Sequence, residues 1–102
     1  MGYPFSILIN RRWYKIRLAR RDMKAGGFCE CPHNPPPHLI KVGRGDARGQ
    51  GTADAQEHAH RLLHEILHAA GWWASEEWVE ETSLTLAEGL KKAGLLNQNA
   101  RI

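Results

Sequence analysis

Leu62-Leu63-His64-Glu65-Ile66-Leu67-His68-Ala69 lies at the centre of the pattern that decides how this chain folds. Around it, Ala55, Ala59, Leu62, Leu63, Ile66, Leu67 and Ala70 recur at steps of three and four residues. That period marks an amphipathic helix with one apolar stripe. Thr52 is placed to cap its start, and Asp54 falls in the first turn, where the helix dipole favours an anion. Gly71 is placed to stop it. After the short connection Trp72-Trp73-Ala74, Ser75 can cap a second helix with Glu76 and Glu77 in its first turn. Val79, Ser83, Leu86, Leu90 and Ala93 follow on one expected face, Gly94 ends the helix, and the tail from Asn97 is expected to fray.

Upstream the period is two. Phe5, Ile7 and Ile9 alternate with outward positions, as do Tyr14, Ile16 and Leu18, on either side of Asn10-Arg11-Arg12. This is the pattern of a β-hairpin with one buried face. Asp22 to Gly27 reads as a turn-rich connection, Phe28 to Pro32 as a short extended piece, and His38 to Val42 as a brief strand with Leu39 or Ile40 facing inward. Pro35-Pro36-Pro37 breaks any regular element, and Gly43 to Gly51 reads as a loop. Strands followed by a helical pair make an α+β domain. The expectation is a small N-terminal antiparallel sheet, hairpin plus one or two short strands, and then two packed helices. Residues 1–102 form one domain, with 3–51 rich in β-structure and 52–96 the helical pair.

A length of 102 residues suits a single small domain. Its core is thin enough that a bound metal would add usefully to stability. No apolar run approaches the roughly 20 residues of a membrane helix, and the first residues lack the order of a secretory signal. The expected location is the cytoplasm, with no membrane partner. The net charge of +3 conceals a basic first half and an acidic second half. Arg11, Arg12, Lys15, Arg17, Arg20, Arg21 and Lys24 read first as the solvated face and tip of the hairpin. A nucleic-acid partner is the sharper reading, but no recognition motif accompanies the charge. Cys29 and Cys31 are too close in sequence for an unstrained disulfide and closer than paired zinc-binding cysteines usually stand, so packing is their expected role.

The chemistry concentrates at His64, Glu65 and His68. Positions i and i+4 of a helix lie one turn apart on one face, so the two imidazoles can grip one ion. Glu65 is offset around the helix and suited to act on a water rather than on the metal. This is the HExxH pattern of zinc peptidases. A catalytic zinc needs a third protein ligand and an open position. At 100° per residue, with Val79 as the centre of the buried face, Glu76 and Glu80 are the candidates on the second helix. Glu77 and Glu81 point nearly the opposite way and read as solvated charges. His60, one turn upstream of His64, reads as solvent-facing. Trp72, Trp73 and Trp78 read as core or lid packing, with a partner-binding patch as the alternative.

The run Leu62 to Ala69, followed by Glu76-Glu77-Trp78-Val79-Glu80 and Leu86-Ala87-Glu88-Gly89-Leu90, resembles small phage and prophage proteins carrying the same two helical motifs. More distantly it resembles the ImmA/IrrE-type metallopeptidases of the gluzincin group. The resemblance spans most of residues 5–96, and its specific part is the HExxH. It implies that Glu76 is the third ligand of a zinc ion, that Glu80 stands behind the ligands and orients a histidine, and that Glu65 is the general base of a metallopeptidase. It also implies a peptide or protein substrate, such as a regulator in the host cytoplasm, laid along the edge of the His38–Val42 strand. The chain departs from the family pattern in the seven-residue connection from His68 to Glu76 and in Glu80, which stands where Asp or Asn is usual. The rival expectation is a non-catalytic zinc-stabilised module that binds protein or DNA.

Overall fold

The computed structural model describes residues 3–19, 27–43 and 54–96. Four strands, β1 (Phe5–Ile9), β2 (Arg12–Leu18), β3 (Gly27–Cys29) and β4 (His38–Val42), precede two helices, α1 (Ala55–Ala70) and α2 (Glu76–Lys92). The α+β class and the order of elements are as the sequence patterns require. The connection before Gly27, the loop from Arg44, the Thr52 cap position and the tail from Asn97 lie outside the described residues.

β1 and β2 form the expected hairpin, with Phe5 opposite Ile16 and Ile9 opposite Arg12. Asn10 and Arg11 at its tip both have positive φ, 49° and 67°. Two such residues make the tight turn whose twist matches a hairpin. Asn tolerates this conformation, and here its Nδ2 also donates to Ala70 O at 2.7 Å, tying the tip to the end of α1. Arg11 has no such compensation, because its Cβ crowds the backbone. Arg11→Gly is therefore expected to stabilise the protein by about 1 kcal/mol, measurable as a rise in the urea midpoint with an unchanged slope.

The sheet is mixed, which corrects the expectation of an antiparallel one. The strand order is β1-β2-β4-β3. β2 and β4 are parallel, with Tyr14 beside His38 and Leu18 beside Val42, while β3 is antiparallel to β4. The chain crosses from the end of β2 to the far side of β4, lays down β3 there, and returns through the proline-rich turn. His38–Val42 is thus an inner strand, not the edge expected for substrate. The edge is β3.

Tyr14, Ile16, Ile40 and Val42 are fully buried and form the core with Ile9 and Ala69; Leu62, Ile66 and Ala70 pack against it. α1 covers one face of the sheet, and α2 packs on α1 without touching the sheet. α1 begins at Ala55 and its cap is Asp54 rather than Thr52, so Asp54 precedes the first turn instead of lying in it, and its Oδ1 accepts from Glu57 N at 2.8 Å. Its end is Gly71, whose N–H returns to Leu67 O. Ser75 caps α2 by accepting from Trp78 N at 3.1 Å, and Gly94, at φ 74°, follows its last turn. The inner face of α2 is Val79, Ser83 and Ala87. Leu86, expected on that face, is exposed, because a strict four-residue step selects Ala87 instead.

Candidate metal centre

α1 presents His64 and His68 on one side, one turn apart, and the cap at Ser75 turns the chain so that the first residue of α2 faces them. Glu76 Oε1 stands 2.8 Å from His64 Nε2, and Glu76 Oε2 stands 2.9 Å from His68 Nε2. The two Nε2 atoms are 3.1 Å apart. Three groups of electron-pair donors converge here, and only protons or a cation between them can hold them so close. In a tetrahedral shell with bonds of about 2.0–2.1 Å, neighbouring ligand atoms stand about 3.3 Å apart. A small divalent cation therefore fits this trio with adjustments of a few tenths of an ångström. Of the two carboxylates left open by helical phase, the one brought to both imidazoles is Glu76.

Glu80 takes the place behind the ligands. Its Oε1 lies 2.9 Å from His64 Nδ1 and 2.8 Å from His60 Nε2. With His64 Nδ1 donating to this carboxylate, its Nε2 lone pair is directed at the trio, and the ring becomes a stronger donor. Partial burial works against the Glu80 charge, but the hydrogen bonds and charges of His60 and His64 outweigh it and hold the carboxyl below its usual range. His60, expected to face solvent, is instead partly buried against Glu80. His60, His64 and Glu80 themselves satisfy the spacing of a cation site. One oxygen already accepts from both rings, as an orienting network requires. Glu77 and Glu81 are exposed, as their phase predicts.

Glu65 occupies a different environment from every other carboxylate on the helices. It is only 7% exposed, on the inner stripe Arg61-Glu65-Ala69. Burial pushes its carboxyl up to about 7; the neighbouring His64 opposes this and the Glu76 charge adds to it. β3 lies directly over it. A Cβ on Gly27 would fall 2.8 Å from Glu65 Oε2 and 2.8 Å from Lys41 O, so only glycine allows the strand to approach this closely. Arg61 is buried with its guanidinium on Gly43 O at 3.3 Å and on Glu57 Oε1 at 2.9 Å, rather than on a solvated face.

Gly27, Phe28, Cys29, His64, Glu65, His68, Trp72, Ala74 and Glu76 line a cleft of about 600 Å³. Both cysteines are free, and burial, first among several causes, pushes the Cys29 thiol up to about 12, so it is a neutral wall rather than a nucleophile. The cleft wall from β3 was not foreseen. Its available signal was the Gly26-Gly27 pair ahead of Phe28, since glycine at a strand marks close backbone approach. No protein-family model, curated protein or solved structure matches the chain.

Proposed function

We infer that this protein is a zinc-dependent metallopeptidase. The observation that carries the reading is the convergence of His64, His68 and Glu76 on one point, in the same cleft as the buried carboxylate of Glu65. Two imidazole nitrogens and a carboxylate oxygen, open to a cleft on the remaining side, are the donor set of a catalytic zinc. When bound, zinc lowers the pKa of a coordinated water and polarises a carbonyl.

The residues of the chain supply the rest. Glu80, backed by His60, fixes the His64 ring. Glu65, buried in the same cleft as the trio, takes the proton from the attacking water as the C–O bond forms. It then delivers that proton to the amide nitrogen as the C–N bond breaks. Among the described residues β3 pairs with β4 alone, and its residues line the cleft, so an extended peptide would add beside β3. Trp72, against His68, supplies an apolar wall for a substrate side chain. The resemblance to phage-borne and ImmA/IrrE-type proteins accords with an intracellular regulator as substrate.

A zinc site that only ties the helices together is the second reading. It is favoured by one observation: the described residues lining the cleft include no Tyr, Lys or Arg to meet an oxyanion. The deciding experiment incubates the zinc-loaded protein with a mixture of unstructured peptides and follows cleavage by mass spectrometry. Peptidase activity predicts new termini that disappear with a chelator and return with zinc. Intact peptides from a protein with one zinc bound per chain would establish the structural role.

A further inference from the structure

The face of the sheet turned away from α1 has no covering element among the described residues. Its composition follows from the pleat. In β2, Tyr14, Ile16 and Leu18 point to the core, so Trp13, Lys15 and Arg17 point out. The register then sets the rows. Leu8 stands beside Trp13; Ser6, Lys15 and Leu39 lie across the middle; Arg17, Lys41 and Phe28 lie across the far end. Trp13 is 64% exposed and Phe28 41%.

Two features of this surface call for a ligand. The first is charge. Arg17 and Lys41 are direct neighbours on adjacent strands, an arrangement that costs free energy when nothing neutralises it. Neither these two nor Lys15 has an ion-pair partner among the described residues. The only described carboxylate in the β-rich part is Glu30, and its Oε1 is held by Asn34 Nδ2 at 2.6 Å. The second is the aromatic content. A tryptophan and a phenylalanine stand open at opposite ends of the cationic stretch, on the outer face of a sheet whose inner face already has its core.

We propose that this outer sheet face binds single-stranded nucleic acid, with phosphates on Lys15, Arg17 and Lys41 and bases stacked on Trp13 and Phe28. Lys15 and Arg17 are two residues apart on one strand, about 6.6 Å, and Lys41 lies one strand over, about 4.8 Å. A flexible single strand can follow that path. A duplex would leave the aromatic rings unused, because its bases are already stacked. An acidic protein would satisfy the cations and likewise make no use of the rings. A cationic stretch with open rings at its ends is a combination that serves sequence-tolerant single-strand binding. Trp13, Lys15, Arg17 and Lys41 are on the opposite side of the sheet from α1 and none of them lines the metal cleft, whereas Phe28, on β3, borders both.

The test uses the full chain, zinc-loaded, with fluorescein-labelled dT12 and rU12 followed by anisotropy between 50 and 200 mM salt. Three phosphate contacts predict a log–log salt slope of about −2, which is a loss of affinity of about fifteenfold across that range. Lys15→Gln/Arg17→Gln/Lys41→Gln should flatten the slope toward zero. Trp13→Ala, at an exposed position, should weaken binding about tenfold while leaving the salt slope unchanged. The two oligonucleotides separate DNA from RNA as the natural source. The proposal is overturned by absence of binding at 50 mM salt, or by binding that the triple variant leaves intact. It is equally overturned if a blunt duplex or polyglutamate binds more tightly than either oligonucleotide. Sedimentation covers the remaining occupant: a dimer broken by the triple variant, with no oligonucleotide bound, would make the face a contact between copies.

Discussion

Glu65→Gln is expected to keep its zinc, lose peptide hydrolysis by about 10²–10⁴-fold, and become more stable than the parent when metal-free at neutral and higher pH. The first two results follow from placement. Glu65 is not within the trio His64, His68 and Glu76, so its charge is not needed to hold the ion, whereas a general base contributes about 10²–10⁴-fold. The third follows from burial. The carboxyl is pushed from its ordinary value of 4.5 to about 7, and no hydrogen bond or ion pair of the described residues compensates its charge. A folded-state pKa above the unfolded one means that the folded protein holds the proton more tightly. Stability from this group is fully present below about pH 4.5 and is lost as pH rises through about 7. A shift of that size corresponds to about 3 kcal/mol at most. Chemical denaturation of the two metal-free proteins from pH 4.5 to 8.5 should therefore show curves that separate across this window, with the glutamine variant above. Parallel curves would mean that Glu65 is solvated and ionised throughout, and that it lacks the tuned environment a base at neutral pH needs.

The parts of this site that were legible in the sequence are those fixed by a single helix. His64 and His68 share a face because four residues make about one turn, and helical phase separated Glu76 and Glu80 from Glu77 and Glu81. The hairpin was legible for the same reason, since its register is local and its tip is only Asn10 and Arg11. What escaped depends on pairing between distant segments. Nothing local in Gly27-Phe28-Cys29 says that this strand adds outside β4, over Glu65. Nothing local to His60 says that Glu80, twenty residues on, will take its ring. The charge of Arg61 points to a solvated face, yet its stem lies on the inner stripe while its guanidinium reaches Gly43 O. Long side chains can follow an apolar surface and place their charge at its margin, so charge alone misreads their phase. The mixed sheet has the same origin. Parallel pairing of β2 with β4 needs a crossover, and the crossover contains β3.

Glu76→Ala should weaken zinc binding by more than about 100-fold, while Glu80→Gln should weaken it by only about 10–100-fold, the usual effect of losing a partner that orients a ligand. The ranking follows from contact: Glu76 meets both ligand nitrogens, whereas Glu80 meets the far nitrogen of one ring. The same pair of variants separates a metal that organises the fold from one that merely visits it. α2 touches α1 but not the sheet, and its buried residues there, Val79, Ser83 and Ala87, include only one of substantial apolar size. Such a helix is held weakly and should be the first element to open. An ion bridging His64 and His68 of α1 to Glu76 of α2 would hold its beginning in place. At a free zinc concentration 100 times the dissociation constant, binding stabilises the native state by about 2.7 kcal/mol. For a chain of this length that raises the melting temperature by about 10–20 °C. Zinc should accordingly slow hydrogen exchange across residues 76–92 in the parent and in Glu80→Gln at saturating metal, and leave it unchanged in Glu76→Ala. If Glu80→Gln empties the site and Glu76→Ala does not, the ion sits instead among His60, His64 and Glu80. In that arrangement Glu65 no longer shares its cleft with the metal, and hydrolysis loses its base.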